Sequence, residues 1–185
     1  AETRLAAEVR LRGVTARALI ADDTHRLLVA LADARKTELK ARVEDVVSSA
    51  VRAVFGVGYG FRFEASVKRS SVAFTPMIVY PGGRTAGLDS VGGGMVDVVA
   101  FALRVAVLAM RNPQPRPVLI ADEPFKHLSD NYVPNAAAVV RALADRTGLQ
   151  FIIISHEEAL ASAAHRVFTV SKPGAHSAVS VADPV

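Results

Sequence analysis

The sequence lacks several features, and each absence removes a class of protein. It contains no cysteine, which excludes disulfides, zinc–thiolate sites and thiol catalysis. No apolar run approaches the roughly 20 residues that a membrane-spanning helix needs, so we expect no membrane partner. The positive excess is small: a net charge of +4 permits contact with nucleic acid, but an arginine-rich helical surface explains it equally well. What remains is a globular composition, 51 % hydrophobic, in a chain long enough for one domain with a core.

The stretch Pro117 to Asp130 organises the rest of the chain. Its apolar residues 118–121 run into Asp122 and Glu123, and an apolar run of this length predicts a buried strand, most often a parallel one. Open α/β sheets bind ligands at the carboxyl ends of such strands. Adjacent carboxylates suit nucleotide hydrolysis, in which Asp122 would hold Mg²⁺ and Glu123 would orient or deprotonate the attacking water. The alternative is a strand that ends in a solvated acidic turn.

The first 55 residues are predicted to be helical. Between Thr24 and Phe55 apolar residues recur on one face, opposite charged ones, as in an amphipathic helix. That face carries Leu27, Leu31, Leu39, Val43, Val46, Val47, Ala50 and Val54. Two such helices in series, or one arm of a helical hairpin, would form the base of a coiled coil; an ordinary helical layer is the alternative.

An antiparallel hairpin is predicted over residues 59–80. The glycines of Gly56 to Gly60 break the helix, and the hydrophobic period then changes to two, once in residues 61–67 and again in residues 72–80. Because Pro76 has no amide hydrogen, we expect the second strand to lie at an edge or to carry a bulge.

A glycine-rich loop is predicted over Pro81 to Gly94, and it leads into an apolar helix predicted over Met95 to Met110. Gly92, Gly93 and Gly94 at a helix start indicate an anion site, because free amides and the helix dipole favour negative charge there and no Cβ blocks the approach. The alternative is a flexible loop at the start of a helix.

The remainder of the chain alternates strands and helices. Pro134 and Gly148 stand where a first helical residue and the residue after a helix belong, and they bracket a predicted helix over residues 135–147. Further strands are predicted over residues 151–154 and 166–171. With the acidic strand, this order of strand, helix, strand, helix and strand is typical of a parallel α/β layer.

The second apolar strand ends in Ser155 and His156. Ser155 and Glu158 have the spacing of a capping box for a short helix that runs to Ala164, which would make His156 the first residue of a capped helix. The other histidines are interpreted as surface residues; they are His25, His127, His165 and His176.

Three elements therefore follow one another: a glycine turn that opens a helix, an apolar strand that ends in Asp-Glu, and an apolar strand that ends in Ser-His. In this order and spacing they resemble the second half of an ABC-type ATPase head. The chain is most similar to the coiled-coil DNA-repair and chromosome-structure ATPases of the SMC, RecN and SbcC-like families and their phage relatives. The resemblance covers residues 24–171 and implies an α/β fold with parallel strands and flanking helices, preceded by a coiled-coil stump and a hairpin.

The resemblance implies roles for the residues of the acidic strand and of the loop after it. Residues 117–123 look like the Walker B strand, with Asp122 as the Mg²⁺ ligand and Glu123 as the catalytic base. The following residues look like the D-loop, which in this family crosses to the partner head. Ser129 stands where the family usually has aspartate, with Asp130 next to it, so the details of this contact depart from the family pattern.

The second strand looks like the switch strand of the family. Residues 151–156 then place His156 at the γ-phosphate, where an imidazole can donate a hydrogen bond to the transferred phosphate oxygens. The alternative is a structural histidine at the start of a capped helix.

The glycine turn, with its helix over residues 88–110, looks like the ABC signature, which faces the nucleotide bound to the other head. Gly93 and Gly94 align with the glycine pair of that motif, and Gly92 stands at the usual serine. Ser90 lies two residues upstream. Either its hydroxyl reaches the phosphate by another path, or backbone amides alone make the contact.

No G-x-x-x-x-G-K-[ST] phosphate loop occurs in the sequence; FGVGYGF at residues 55–61 lacks the lysine and precedes a strand. In the family that loop lies in an N-terminal lobe, beyond a long coiled coil. The resemblance thus implies that residues 1–55 are the base of the coiled coil and residues 56–185 a C-terminal head lobe. A complete ATP and Mg²⁺ site would need the other lobe. Alone, this lobe would be inactive, and it would expose the apolar edge or face that the other lobe covers or pair it with another copy.

The function implied by the resemblance is half of an ATPase motor. Two heads would sandwich ATP, and the chain would act in DNA recombination, repair or replication. The implied partners are an N-terminal lobe with the phosphate loop, a second head in a homodimer, DNA and a nuclease subunit. The implied setting is the cytoplasm of a bacterial or phage-infected cell. The alternative is a non-hydrolysing module that dimerises or scaffolds DNA.

Overall fold

The computed structural model describes residues 2–68, 71–111, 116–174 and 176–182, and their side chains except those of residues 2–21, 67, 68, 71 and 72. The chain divides into two compact units, residues 1–41 and 42–185. The described part of the first unit is helix only: α1 spans Glu2–Phe55 without interruption, and its residues 42–55 belong to the second unit. Among the described helices, none has both the length and the apolarity needed to cross a bilayer.

The apolar stripe predicted along α1 is buried only over its second half. Leu27 and Leu31 are largely exposed, whereas Val43, Val47 and Val54 are buried. A helical stripe is buried only where another layer covers it. The described part of the first unit contains no second layer, and its leucines remain in solvent. The prediction of a helix over residues 24–55 is confirmed.

The chain then forms a three-stranded antiparallel sheet. Its strands are β1 Gly60–Lys68, β2 Ser71–Val79 and β3 Thr85–Gly87, in the order β1-β2-β3. β1 and β2 form the predicted hairpin, with Phe61 opposite Ile78 and both side chains in the core. β3 lies in the glycine-rich segment that was predicted to be a loop, which corrects that prediction.

Pro76 lies in the central strand of this sheet and not in an edge strand. The register runs through the Phe63–Pro76 pair without a bulge, so the expectation of an edge or a bulge is wrong as stated. β3, however, pairs only with Met77–Val79. Pro76 therefore lies beyond the end of β3, where no strand on that side requires its missing amide hydrogen.

The core of the second unit is built around α2, Gly93–Ala109. This helix buries Met95, Val98, Val99, Phe101, Ala102, Val105 and Ala106. Phe101 packs against Phe125 and Phe151, with ring centroids 5.2 and 5.6 Å away. A helix that is apolar on most of its surface is typical of a buried position, which agrees with the strongly apolar sequence of α2.

Two strands form the predicted parallel layer. β4, Val118–Asp122, and β5, Gln150–Ile154, pair in parallel with Asp122 opposite Ile154. They are connected through α3, Val133–Thr147, and the chain leaves α3 at Gly148, which has a left-handed φ of 66°. The fold is thus α/β, with a parallel strand pair and flanking helices.

The last predicted strand does not extend this layer. After α4, Glu158–Ala163, the chain enters β6, Val167–Ser171, which pairs antiparallel with β7, Ala178–Ala182, in a separate two-stranded sheet. Strand alternation identifies a strand but does not choose its partner. The parallel layer therefore contains the two strands β4 and β5, and not the three that were predicted.

The β4–β5 sheet is covered on one face only. Phe151 and Ile153 pack against the core, whereas Ile120, Ile152 and Ile154 are 66 %, 44 % and 55 % exposed. The prediction of a fully buried strand is wrong for the second face. An exposed apolar face, as expected for a lobe that stands alone, is present there.

Candidate functional site

The carboxyl ends of β4 and β5 bring Glu123 and the candidate switch residue His156 together. Asp122 is the last residue of β4, and the amide of Glu123 donates a hydrogen bond of 2.9 Å to the carbonyl of Ile154, the last residue of β5. Glu123 has a φ of 42°, in the left-handed region that non-glycine residues rarely occupy. Such backbone outliers concentrate at functional sites. This turn takes the Glu123 side chain out of the strand alternation and towards the residues that follow β5.

The Glu123 carboxylate binds both residues that follow β5. Its Oε1 lies 2.9 Å from Nδ1 of His156, and its Oε2 accepts a hydrogen bond of 3.2 Å from the Ser155 hydroxyl. On the other side of the imidazole, Nε2 of His156 lies 3.5 Å from Oε1 of Glu157. The candidate base and the candidate switch residue are therefore in direct contact.

The contact shifts the pKa of both side chains, Glu123 and His156. The hydrogen bond from His156, aided by its positive charge and by Ser155, lowers the pKa of Glu123 below its ordinary value. The hydrogen bond and charge of Glu123, with a smaller contribution from Glu157, raise the pKa of His156 above its ordinary value. The pair therefore favours a carboxylate and an imidazolium. Because the imidazole is largely exposed, solvent screens this attraction, and the pair contributes little to folding stability.

Ser155 does not form the predicted capping box. α4 starts at Glu158 with Glu157 at its N-cap position, and no side chain caps it. The Ser155 hydroxyl instead donates to Glu123 and accepts a hydrogen bond of 3.3 Å from the amide of Glu157. Ser155 is a site residue that sequence reasoning missed, because the serine–glutamate spacing that suggested a cap equally fits a turn that closes onto a neighbouring strand.

Asp122 lies on the open face of the sheet. Its side chain is exposed, and its position in β4 puts it on the same side as Ile120 and beside Ile154. In the described part of the chain no cluster of three histidine, aspartate or glutamate side chains could hold a metal ion. Asp122 nevertheless fits Mg²⁺ chemistry, because this ion takes one or two protein carboxylates and completes its shell with water and substrate phosphates.

The glycine turn presents backbone amides but no serine hydroxyl. Gly92 is the N-cap residue of α2 and accepts from the amide of Met95, so the amides of Gly93 and Gly94 belong to the first helical turn, which has no intrahelical acceptors. Ser90 ends a short 3₁₀ turn and donates a hydrogen bond of 3.1 Å to Asp89. Of the two alternatives left by the sequence, this arrangement favours contact through backbone amides.

The two D-loop candidates are exposed. The carbonyl of Ser129 accepts a hydrogen bond of 2.8 Å from Tyr132, and Asp130 starts a 3₁₀ turn that leads into α3. Among the described contacts, neither side chain joins the Glu123–His156 pair. They lie where a second molecule could reach them.

The comparisons with known proteins agree on the class of protein. No protein-family model matches the chain. Over 107 residues, 57 % of this chain, the sequence is 39 % identical to the DNA double-strand break repair Rad50 ATPase of Thermoplasma acidophilum. It is 37 % identical over 105 residues, 56 % of this chain, to the Rad50 ATPase of Thermoplasma volcanium. The chain spans 12 % of the length of each relative, so the likeness concerns a small part of either protein.

The fold is that of an SMC head. The Smc head domain of Pyrococcus furiosus, solved with an extended coiled coil and the C-terminal domain of ScpA, superposes with a TM-score of 0.63 at 19 % identity, over 77 % of this chain and 35 % of that one. An SMC ATPase solved in work on ATP-driven dimerization and DNA stimulated activation superposes with a TM-score of 0.61 at 19 % identity, over 77 % and 84 %. Identity this low establishes the shared fold alone. With the Rad50 likeness in sequence, it supports the resemblance of this chain to the C-terminal lobe of an ABC-type ATPase head of the SMC/Rad50-like kind.

Proposed function

We propose that this chain supplies the hydrolytic half of an ATP site in a coiled-coil ATPase that acts in DNA recombination, repair or replication. The observation that carries the proposal is the contact between Glu123 and His156 at the ends of adjacent parallel strands. Open α/β sheets bind ligands at that edge, and nucleotide hydrolysis needs a carboxylate and a hydrogen-bond donor at one point. Support for the biological role comes from the likeness to Rad50 repair ATPases.

Asp122 is the proposed Mg²⁺ ligand. Its exposed carboxylate ends β4, one residue before the proposed water-orienting group. When bound there with ATP, Mg²⁺ neutralises the developing charge on the phosphate oxygens. The role of Asp122 is to hold one face of that ion with its carboxylate.

Glu123 is the proposed partner of the attacking water. Its lowered pKa keeps the carboxylate ionised, which suits accepting a hydrogen bond from water. The same shift makes the carboxylate a weak base, so orientation contributes more than full proton abstraction. Ser155 restricts the carboxylate further, because its hydroxyl binds the second oxygen.

His156 is the proposed donor to the γ-phosphate. Its raised pKa favours the imidazolium, whose two N–H groups are both donors. Since Nδ1 is bound to Glu123, Nε2 is the nitrogen that can turn to a phosphate oxygen. A fixed cationic donor at that position stabilises the charge that develops during phosphoryl transfer.

The glycine turn and the loop after Glu123 are proposed to act across a dimer of heads. The first-turn amides of α2 provide a site for phosphate oxygens of a nucleotide held by the second head. Ser129 and Asp130 are exposed and free to meet that head. ATP-driven dimerization is described for an SMC ATPase that has this fold. DNA is a proposed partner by likeness to the Rad50 relatives, which are named for DNA double-strand break repair. A nuclease subunit is a proposed partner because the family resemblance in the sequence implies one.

An N-terminal lobe with a phosphate loop is the proposed cover of the open sheet face. Ile120, Ile152 and Ile154 form an exposed apolar strip beside Asp122. An apolar patch of this kind on a soluble domain usually marks an interface. A lobe placed there would bring its phosphate loop next to the proposed Mg²⁺ ligand.

The test is ATP turnover by this chain assembled with a lobe that carries the phosphate loop. Replacing Glu123 by glutamine should lower kcat by about 10²–10⁴-fold while ATP binding persists. Glu158→Gln, on the exposed side of α4, is the matched control and should leave turnover unchanged. Unchanged turnover in Glu123→Gln would refute the role given to Glu123.

One observation favours a second function, a non-hydrolysing dimerisation or DNA-scaffolding module. The Ser90 hydroxyl is bound to Asp89 instead of lying at the start of α2. A head without that hydroxyl could bind nucleotide and dimerise without efficient turnover. Sedimentation of the assembled head with ATP, together with the turnover assay, separates the two functions: dimer formation without hydrolysis in the wild type identifies the scaffold.

A further inference from the structure

Asp97 joins the start of α2 to the loop that follows Glu123. Oδ2 of Asp97 accepts a hydrogen bond of 3.0 Å from the amide of His127, and Nδ1 of the His127 ring lies 3.2 Å from the same oxygen and 3.3 Å from Oδ1. The Asp97 side chain is only 18 % exposed, although that of His127 is 56 % exposed. One carboxylate thus holds both the backbone and the side chain of a single loop residue.

The same loop lies directly on the glycines of the turn. A Cβ at Gly94 would stand 2.9 Å from the carbonyl oxygen of His127 and 2.9 Å from Cα of Leu128, and one at Gly93 would stand 3.0 Å from Cβ of His127. Contacts below 3.0 Å with backbone atoms leave no room for a side chain. The glycines therefore serve a second purpose besides offering amides, since they allow the loop to approach the helix backbone.

Packing at the start of the loop reinforces the contact. Phe125 and Leu128 are buried, and the amide of Leu128 donates a hydrogen bond of 2.9 Å to the carbonyl of Phe125. The Phe125 ring packs against Phe101 of α2 at 5.2 Å. The loop of residues 124–130 is thus fixed to α2 by an aromatic contact, a charged hydrogen bond and a backbone approach.

The other end of this loop is Glu123. Its backbone is bonded to Ile154 and its carboxylate to His156. Only three residues separate His127 from Glu123, and the Glu123 carbonyl accepts a hydrogen bond of 3.4 Å from the amide of Lys126. A displacement of the loop at His127 therefore acts on Glu123 through a short, compact segment. The glycine turn and the hydrolytic pair are joined by contiguous contacts.

We propose that Asp97 and His127 are positioning residues that fix the spacing between the glycine turn of one nucleotide site and Glu123 of the other. This inference rests on the proposed function, because it assumes that both segments act on nucleotides. In a dimer of heads, each chain would contribute its glycine turn to one nucleotide site and its Glu123 to the other. The Asp97–His127 contact would then connect the two nucleotide sites within each chain. Neither residue contacts the reacting atoms.

The first measurement is amide exchange by NMR in this chain, which requires no nucleotide. Asp97→Ala removes the acceptor of the His127 amide, so exchange at His127 should rise by roughly tenfold. His127→Ala keeps the backbone bond and should raise it less. Asp97→Asn retains an acceptor oxygen and should restore most of the protection. Asp145→Asn, an exposed position on α3, is the matched control.

The second measurement is ATP turnover by the assembled head. Asp97→Ala should lower kcat by roughly three- to thirtyfold with KM for ATP unchanged, because positioning is lost and nucleotide binding is kept. Asp97→Asn should recover most of kcat, whereas a general loss of folding would lower the amount of active head and not its kcat.

The outcomes separate this inference from the proposed function. Unchanged exchange at His127 in Asp97→Ala would show that the contact does not hold the loop. Altered exchange with wild-type kcat, in a head that depends on Glu123, would show that the contact does not serve hydrolysis. A wild-type head without Glu123-dependent turnover would overturn the proposed function, and this inference with it.

Discussion

The two faces of the β4–β5 sheet have similar apolar sequences and opposite environments. On one face Phe151 and Ile153 pack against the core around α2; on the other, Ile120 and Ile152 lie largely in solvent. The residues themselves do not explain the difference, because isoleucine occurs on both faces. What differs is the presence of a covering layer. The strands have the composition of strands that are covered on both faces, and the described part of this chain covers one of the two.

The open face also carries the proposed Mg²⁺ ligand. Asp122 continues the row of Ile120 on that face, and Glu123 turns away from it through its left-handed backbone. Exposed isoleucines beside a carboxylate are typical of an interface or a ligand site. The arrangement suits a second lobe that packs on this face and closes over a nucleotide.

The largest effect is expected from breaking the packed face. Phe101→Ala removes a ring that is 1 % exposed and contacts two other aromatic rings, and it should lower the free energy of unfolding by about 3–5 kcal/mol. Chemical denaturation measures the change. If the variant does not fold, Phe101→Leu provides a smaller, measurable loss.

Val107→Ala on the same helix is the matched control. Val107 is 55 % exposed, so its truncation should change the free energy of unfolding by less than about 0.5 kcal/mol. Equal losses for the two positions would contradict the assignment of α2 as a core helix with one open side.

The next largest effects compare the open and the packed face of one strand, β5. Ile152→Ser, on the open face, should change the stability of this chain by less than about 0.5 kcal/mol. It should weaken association with a phosphate-loop lobe by about three- to tenfold, since burying the exposed 44 % of this side chain contributes about 0.7–1.3 kcal/mol of the roughly 1.5–3 kcal/mol of full burial. Calorimetric titration measures that association.

Ile153→Ser, one residue further along β5, tests the packed face in the same strand. It buries a hydroxyl against the core and should cost about 2 kcal/mol or more of stability. Should Ile152→Ser destabilise the isolated chain as much as Ile153→Ser, the open face would have to be covered by this chain itself.

The sequence predicted where the strands and helices lie better than it predicted which strands pair with each other. The apolar runs at β4 and β5, the proline and glycine that bracket α3 and the alternation in β1 and β2 are local patterns, and each is confirmed. The pairing of β6 with β7 depends on contacts between segments, which alternation does not encode. For the same reason β3 was missed, because three residues in a glycine-rich segment give too short a pattern.

The candidate site shows the same division. Strand order alone predicts that Glu123 and His156 meet, because the carboxyl ends of neighbouring parallel strands share an edge. Nothing local predicts the left-handed backbone of Glu123 or the bond from Ser155 to its carboxylate. His127 was interpreted as a surface residue; its ring is exposed, yet it binds Asp97, thirty positions earlier in the chain. Only the close approach of the loop to α2 makes that contact.

A smaller effect is expected at the polar end of the sheet, where Glu123→Gln should lower the pKa of His156 towards its ordinary value of 6.5. The reason is that the largest two contributions to the raised pKa come from Glu123. NMR titration of the imidazole measures it, and Asp145→Asn should leave that pKa unchanged. A His156 pKa that does not move in Glu123→Gln would show that the contact is absent in solution.

The pH dependence of this pair follows from the two shifts. The stabilisation linked to His156 is present below its ordinary pKa of 6.5 and is lost as the pH rises through the raised value. The stabilisation linked to Glu123 is present above its ordinary pKa of 4.5 and is lost as the pH falls through the lowered value. The difference in unfolding free energy between wild type and Glu123→Gln should therefore be largest between pH 4.5 and 6.5.

The smallest effect is expected from Glu157→Gln, which removes the carboxylate 3.5 Å from Nε2 of His156. Glu157 contributes less than Glu123 to the raised pKa of His156, so the same NMR titration should show a smaller decrease. The order matters because Nε2 is the nitrogen proposed to reach phosphate, and a carboxylate that bound it tightly would compete with that role. A decrease as large as that in Glu123→Gln would mean that His156 interacts with Glu157 at the start of α4 as strongly as with Glu123 at the end of β4, and the proposed pairing of Glu123 with His156 would lose its support.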